Sequence, residues 1–441
     1  MYANNGNAPA SPGVLRPGAG TGNTGEGPGM DAAEIIGRLA HRDGRNDPYP
    51  LYTLAHGLGP VSPVAEGWVL ACGYDSVNRV LRNPAFGVDD NDLRRSRFGD
   101  VPMPDSLELL GRSMLQSNPP LHTRMRAPVA SVFTPRRVAA LEPVVAGIVE
   151  RLLDRIGGLS AGLDAGDGRG VDFIEEFAYQ LPVSVICELL GVPEDDRGPF
   201  RSLVHDLTQV FEFMSSETDL TAADAAAREL RGYFATLAEL RRAAPGDDLV
   251  TALVQLVDAE DARLDAAELL GNLVLLLVAG FETTTNLLGN GLALLFEHPA
   301  VRAALIRQAL PVGDFVEEVL RFDSPVQLTS RVALFRGLDV DGVPLPQHGE
   351  VILMLGAANR DPARFHDPDR FDPWRADNQP LSFGAGMHYC LGAMLARLEA
   401  RTAFAALLRR YPAIDAAKGA EPVRQDRLLL RGYASLPVVL G

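Results

Sequence analysis

Hydrophobic residues recur at helical spacing over most of the chain. From Pro135 to about Leu256 the pattern is helical nearly throughout, with apolar groups in Leu141 to Ile156, Phe173 to Leu190 and Leu203 to Phe213, so each predicted helix has one apolar face. Tyr74 to Arg82 carries Val77, Val80 and Leu81 at the same spacing and stops before Asn83-Pro84, since the residue before a proline is pushed out of the helical region. The longest apolar segment opens on Asp265-Ala266-Ala267-Glu268. Asp at the N-cap with Glu three residues on makes a capping box, which predicts a helix from there to about Phe296. At ~1.5 Å per residue it is roughly 45 Å long, enough to cross the molecule. Strand alternation is confined to a few places. Pro60–Val64 and Trp68–Ala71 flank a turn at Ala65-Glu66-Gly67, Phe322–Ala333 leaves a helix for a strand, and Leu428–Val439 is broken at Arg431-Gly432-Tyr433 as a hairpin. The expected class is mainly α with a small β region.

Two stretches lack this periodicity. Residues 1–30 are Gly, Asn, Ala, Pro and Ser with almost no large apolar groups, too little buried surface to offset ordering, so a disordered tail is expected ahead of one domain at 31–441. Phe86 to Leu115 is polar and proline-bearing and reads as a loop too long for an ordinary connection, hence a functional candidate. The 441 residues, 46% hydrophobic and 22% charged, suffice for a sizeable core. A net charge of −16 argues against nucleic acid or an anionic membrane as the main partner. The cysteines Cys72, Cys187 and Cys390 are odd in number and too few for a four-thiolate cluster or a disulfide framework, which fits a reducing cytoplasm. The apolar run between Glu268 and Glu282 falls short of the ~20 residues of a membrane span, and no signal peptide or anchor is expected. Lys418 is the lone lysine among many arginines, the bias of a high-GC genome of actinobacterial type. A cytoplasmic monomer is the expectation.

Candidate chemistry lies where the apolar pattern is interrupted. Mid-way along the long helix stands Ala279-Gly280-Phe281-Glu282-Thr283-Thr284-Thr285. A threonine hydroxyl bonds the carbonyl four residues back, here Thr283 to Ala279, which opens the helix ladder and leaves a groove for a small molecule or water. Downstream, Phe383-Gly384-Ala385-Gly386-Met387-His388-Tyr389-Cys390-Leu391-Gly392 presents one thiol in a glycine-spaced loop running into an apolar helix. Gly384, Gly386 and Gly392 remove side chains where backbone must approach a flat ligand, and turned N–H groups with the helix N-terminus favour an anionic Cys390. Phe383 covers one side of the loop. After Pro119-Pro120, His122 and Arg126 are spaced i, i+4 and share a helix face, where two donors clasp a carboxylate. Glu318 and Arg321, at i, i+3, form a bidentate pair.

These motifs carry a resemblance. Residues 383–399, F-G-A-G-M-H-Y-C-L-G-A-M-L-A-R-L-E, resemble the haem-binding signature of the cytochrome P-450 superfamily, the haem-thiolate monooxygenases. Residues 279–283 resemble its A-G-x-E-T, 119–126 its P-P-x-H-x-x-x-R, 318–321 its E-x-x-R and 368–371 its P-x-R-F. The likeness covers the chain from about Asp47 onward.

The resemblance implies the cytochrome P-450 fold, one triangular domain with haem b between the long central helix and the cysteine loop. It implies Cys390 as the axial iron ligand, with Phe383, Gly384, Gly386, Gly392 and Ala279 against the haem. It makes His122, Arg126, Arg331 and His388 donors to the propionates, with Asn118 where the family has Asp. Thr283 would support oxygen activation and Glu282 supply protons, while Glu318, Arg321 and Arg370 would seat the cysteine loop. Leu275, Val278, Val326, Gln327, Leu328 and Tyr433 would line the substrate pocket under a roof at 86–115. Lid helices are expected near His205 to Ala222, flexible at Ser215 to Thr221. The implied reaction takes O2 and single electrons that come from NAD(P)H through a separate ferredoxin and its reductase, no flavin domain being expected in the chain. A hydrophobic or natural-product substrate is implied, a polyketide, macrolide or peptide, free or tethered to a carrier protein. Oxidative coupling or peroxide-driven oxidation would use the same haem without oxygen insertion. A haem sensor or scaffold would not need the Glu282-Thr283 pair.

Overall fold

The structure, a computed structural model, describes residues 30–99, 102–162, 170–212, 217–259 and 264–441. The tail expected at 1–30 lies outside the described residues apart from Met30. The fold is dominated by helices, and it is built on Ala266–Glu297, the one helix among the described residues with a complete capping box. The Asp265 carboxylate accepts from the Glu268 N–H at 2.7 Å and the Glu268 carboxylate accepts from the Asp265 N–H at 2.9 Å, which satisfies two of the orphan donors at the helix start.

Two hydrophobic clusters share this central helix. Its first half, from Leu269 to Phe281, packs with Met125, Ile186, Phe234 and Leu253; its second half, from Leu287 to Leu295, packs with Leu153, Phe177, Phe315 and Phe404. The polar residues Glu282 to Asn286 stand at the junction, where neither cluster needs them to be apolar. The helix is the one among the described residues long and apolar enough to cross a membrane. It is instead buried in the core, and its interior carboxylates are neutralised there, Glu268 by Arg124 (2.9 Å) and Glu282 by Arg427 (2.7 Å).

A five-stranded sheet forms one edge of the molecule, with Val61–Ala65, Trp68–Ala71, Glu350–Leu353, Thr329–Ala333 and Phe86–Gly87 in that order. Trp68–Ala71 and Glu350–Leu353 run parallel and the other neighbours antiparallel. The expected hairpin and the helix Tyr74–Arg82 are both present.

The roof differs from its expectation. Residues 86–115 are not one loop: they hold helices Asn91–Phe98 and Asp105–Gly111. The first is capped by Asp90, which accepts from Leu93 N–H at 2.9 Å, and the second is tied to helix Glu217–Ala243 by Asp224, which accepts from the Ser106 N–H at 2.9 Å. Capping and tertiary bonds make helices here that hydrophobic periodicity does not announce. Behind the roof, helix Phe200–Thr208 leads through a short turn at Gln209–Phe211 to helix Glu217–Ala243. Of the expected flexible point, Ser215 and Ser216 lie outside the described residues, while Glu217 to Thr221 begin the helix.

Candidate active site

The cysteine loop is shaped by two glycines. Gly384 and Gly386 have φ of 68° and 69°, the left-handed region that side chains disfavour. A Cβ on Gly386 would also overlap the Leu81 carbonyl oxygen, so this glycine presses the loop against helix Tyr74–Arg82. Gly392 differs: its φ is −82° and it serves as N-cap of helix Ala393–Arg410. The Cys390 N–H donates to the Phe383 carbonyl at 2.9 Å and folds the loop back on itself. Burial raises the thiol's pKa, while the Gly392 N–H, the Arg126 and Arg397 guanidiniums and the Ala393 N–H pull it down. Those groups are poised to stabilise a thiolate. Arg397 lies 4.4 Å over the Phe383 ring and is fixed by Glu317 at 2.5 and 3.0 Å.

Behind the loop, Glu318 and Arg321 are wholly buried and paired at 2.7 and 2.8 Å. All five Arg321 N–H donors are used, two on Glu318 and three on the carbonyls of Asn359, Pro368 and Arg370 at 2.8 to 3.0 Å. Asn359 carries the linkage to the loop. Its amide donates to Ser382 Oγ at 2.8 Å and accepts from the Leu381 N–H at 2.6 Å, immediately ahead of Phe383. The expected third member is corrected. Arg370 contributes its carbonyl, and its residue is exposed; it is Arg375 whose guanidinium reaches Glu318, at 3.3 Å. Arg375→Ala should therefore lower the melting temperature measurably while Arg370→Ala changes it little, a contrast that thermal denaturation of the purified variants reads.

On the facing side, the Thr283 hydroxyl donates to the Ala279 carbonyl at 3.2 Å, as expected, and Thr285 does the same to Phe281 at 2.9 Å. Between Gly271 and Leu295 the central helix is buried except at Ala279, which is exposed, and Gly280 and Thr283, which are half-exposed. That turn is the least covered part of the helix's inner length. Glu282 is turned sideways from it. One carboxylate oxygen accepts from Arg427 at 2.7 Å, and Arg427 also donates to Thr208 Oγ1 at 2.8 Å, His205 Nδ1 at 3.0 Å and the His205 carbonyl at 2.9 Å. Burial raises the Glu282 pKa and Arg427 opposes it. Arg427 was not legible as a site residue, because it sits in an unpatterned stretch 145 residues further along the chain.

Three segments bring the four expected propionate donors together. His122 is 3% exposed, and its ring lies 4.3 Å from that of His388, centroid to centroid. Both Nε2 atoms are buried without a partner. Burial first, with Arg126 and Arg331 beside it, pushes His122 down to about 4, and burial with Arg331, His122 and Arg126 pushes His388 down to about 3. Burial alone pushes Arg331 down to about 10. Arg126 donates to the Tyr389 carbonyl at 2.5 Å and Arg331 to the Ser330 carbonyl at 2.7 Å; neither has an ion-pair partner among the described residues. Desolvated cations and orphaned imidazole nitrogens with no protein anion are the complement of a dianionic ligand. With a thiol set among N–H donors nearby in the same loop, the residues present fit a haem. The double change His122→Ala with Arg331→Ala should weaken haem binding by ~100-fold if each lost charge-assisted bond is worth about 1.5 kcal/mol, read as haem absorbance against protein absorbance in a haem titration.

The expected pocket residues divide. Leu275 lies one turn ahead of Ala279 on the same face, and Val278 is buried in the core. Val326 is half-buried and bridged to Leu430, and Leu328 lies with Ile36, Leu39 and Leu428 around a small apolar hollow beside the sheet. Gln327 is corrected: its amide accepts from the Tyr52 hydroxyl and donates to the Ser324 carbonyl at 2.6 Å, so it is a satisfied core group. Tyr433 is also corrected. It is 6% exposed, packs on Gly289 and has Arg424 3.8 Å above its ring. The neighbouring Gly432 lies so close to Asn286 that a Cβ there would overlap it. The residue that this segment carries to the site is Arg427.

A loop-held cysteine thiol, a cluster of cations and imidazoles with no anion among the described residues, and a half-exposed threonine-bearing helix turn fit a haem-thiolate oxygenase. The family model for Cytochrome P450 matches residues 68–432. The chain is 41% identical over 424 residues to cytochrome P450 monooxygenase PikC of Streptomyces venezuelae, covering 95% of each. It is 38% identical to 6-deoxyerythronolide B hydroxylase of Saccharopolyspora erythraea, covering 89% of this chain and 96% of that protein. Among solved structures, P450BioI in complex with an acyl carrier protein ligated to hexadec-9Z-enoic acid is similar at a TM-score of 0.81 and 32% identity, covering 90% of this chain and 99% of that one. The chain belongs to the cytochrome P450 family and is a monooxygenase, a haem-thiolate oxidoreductase of the bacterial type.

Proposed function

We propose that this monooxygenase inserts one atom of O2 into a C–H or C=C bond of a macrolide-sized polyketide or peptide scaffold during secondary-metabolite biosynthesis in the cytoplasm. Electrons would come from NAD(P)H through an external ferredoxin and reductase. The observation that carries this reading is the near full-length similarity to PikC and to 6-deoxyerythronolide B hydroxylase. A carrier-tethered acyl substrate is the second reading, favoured by the likeness to P450BioI in its carrier-protein complex.

When bound, haem supplies the site that binds and activates O2; the chain's own residues do the rest. Cys390 is the candidate iron ligand, its thiolate favoured by the Gly392 and Ala393 N–H groups and by Arg126 and Arg397. His122, Arg126, Arg331 and His388 are the candidate clamps that orient the group through its carboxylates. Thr283, with its hydroxyl anchored on the Ala279 carbonyl, holds a proton donor at this half-exposed turn. Glu282, buried and paired with Arg427, with its pKa raised by burial and opposed by Arg427, relays the proton that Thr283 passes on. Leu275 and Ala279 give the substrate side an apolar wall.

Macrolactones, cyclic peptides and acyl carrier conjugates titrated into the ferric enzyme test the substrate class. A macrolactone should give the spin-state shift of water displacement, and its turnover with ferredoxin, reductase and 18O2 should add one labelled oxygen. A shift with carrier conjugates alone would favour the second reading, and product without label would overturn oxygen insertion.

A further inference from the structure

The central helix, the wide turn before helix Gln180–Leu190 and the segment Arg424–Arg431 meet in a seam that holds four buried polar atoms without partners. They are Tyr179 Oη, Glu282 Oε2, Asn286 Nδ2 and Gln425 Oε1. Buried polar groups are almost always bonded, and internal water is the usual partner where protein supplies none.

The placement of the four is fixed by their neighbours. Glu282 and Asn286 are one turn apart on the same helix face, with Cβ atoms about 5–6 Å apart. Gln425 donates its amide to Asn286 Oδ1 at 3.2 Å, so its free Oε1 belongs to the same seam. The wide turn runs alongside: Ile174 packs at Gly289 and Tyr179 sets its ring edge-on to Phe281 at 5.3 Å. The Tyr179 N–H reaches back five residues to the Ile174 carbonyl at 2.9 Å, a π-type turn that swings the tyrosine toward the helix. Tyr179 is 8% exposed. Burial raises its pKa, as do the neighbouring Cys187 and Glu282. At the other end Gln425 is half-exposed and Asp426 is in solvent. Arg427 occupies the opposite oxygen of Glu282, with Thr208 beside it, and Oε2 is without a partner, so Oε2 is the oxygen left to exchange a proton.

We propose that this seam holds a short file of internal water running from solvent at Gln425, past Asn286, to Glu282 Oε2, capped at its inner end by the Tyr179 hydroxyl, and that Gln425 and Tyr179 are positioning residues for the proton supply of Glu282. The transfer moves one proton from bulk water to the Glu282 carboxylate, moves no electrons and breaks no covalent bond other than O–H. A water that bridges two polar groups costs little to hold. The inference deepens the proton role given to Glu282 above and rests on it.

The test uses the haem-loaded enzyme. A high-resolution crystal structure should show ordered water within hydrogen-bond distance of Glu282 Oε2, Asn286 Nδ2 and Tyr179 Oη; a dry seam would overturn the proposal. Tyr179→Phe keeps the ring packing and Gln425→Met keeps the volume. Each should bind substrate as the wild type does, show a larger solvent deuterium isotope effect on product formation and lose ~3-fold in product per NAD(P)H, part of what a general-acid step is worth. Gln425→Glu, which keeps an acceptor, should restore coupling. Ordered water combined with unchanged isotope effects in both variants would overturn the file as a conduit. Glu282→Gln as well coupled as wild type would instead overturn the role of Glu282, a separate failure.

Discussion

Glu318→Ala and Arg321→Ala are each expected to give protein that aggregates or is recovered without haem. The two side chains have no solvent exposure, and each is the other's only opposite charge at under 3 Å. Removing one leaves a buried charge with unsatisfied hydrogen bonds, which costs about 3–5 kcal/mol, a large share of a marginal stability of roughly 5–15 kcal/mol. The loss is not local. Without Arg321 the carbonyls of Asn359 and Pro368 lose their donor and that of Arg370 loses one of two, and Asn359 is what holds Leu381 and Ser382 ahead of the cysteine loop. Glu318→Ala frees the Asp372 N–H and Asn378 amide as well, at 2.7 and 2.9 Å in the intact protein. Soluble yield, haem-to-protein ratio and melting temperature check this. Soluble, haem-loaded variants with wild-type melting would show that the pair does not seat the loop.

Thr283→Ala is expected to uncouple electron use from product. Its hydroxyl is not part of a buried network: it bonds a single carbonyl on a half-exposed turn, so the fold should tolerate the loss, and neither substrate binding nor electron uptake touches it. Proton delivery does. NAD(P)H consumption should persist while product per NAD(P)H falls by ~10-fold, part of the ~10²–10⁴ of a positioned general acid, with hydrogen peroxide making up the difference. Glu282→Gln should slow the whole cycle, since the group that relays the proton is removed. Its amide would also leave Arg427 without a counter-charge in a site shared with Thr208 and His205. Peroxide per NAD(P)H with the true substrate is the measurement. A fully coupled Thr283→Ala enzyme would favour oxidative coupling, or a substrate that brings its own hydroxyl to the relay.

The sequence made the central helix legible from its cap to its polar middle, because a capping box and an i, i−4 hydroxyl bond are local rules. The cysteine loop was legible for the same reason, its two left-handed glycines lying within seven residues of the thiol. What it did not disclose depends on where distant segments land. Arg375 rather than Arg370 meets Glu318 because the turn after Phe371 carries it back, which spacing within a motif does not encode. Gln327 and Tyr433 were expected in the pocket, but a buried amide takes Tyr52 and Ser324 as partners and a tyrosine beside Arg424 takes the core. The helices at 91–98 and 105–111 have weak periodicity and are held by caps and by Asp224. The ion cluster of Asp323 with Arg431 at 2.7 Å, Arg424 at 3.2 Å and the Tyr49 hydroxyl at 2.6 Å joins residues more than 380 positions apart, and no local pattern announced it.

The central claim is that Cys390, held in its glycine-shaped loop, is the thiolate ligand of a haem iron. The most direct measurement is the absorption spectrum of the reduced enzyme under carbon monoxide. Wild type should show the strongly red-shifted Soret band of a thiolate-ligated haem, Cys72→Ala and Cys187→Ala should keep it, and Cys390→His should bind haem without it. A red-shifted band that survives in Cys390→His, or that is lost with Cys72 or Cys187 instead, would contradict the assignment.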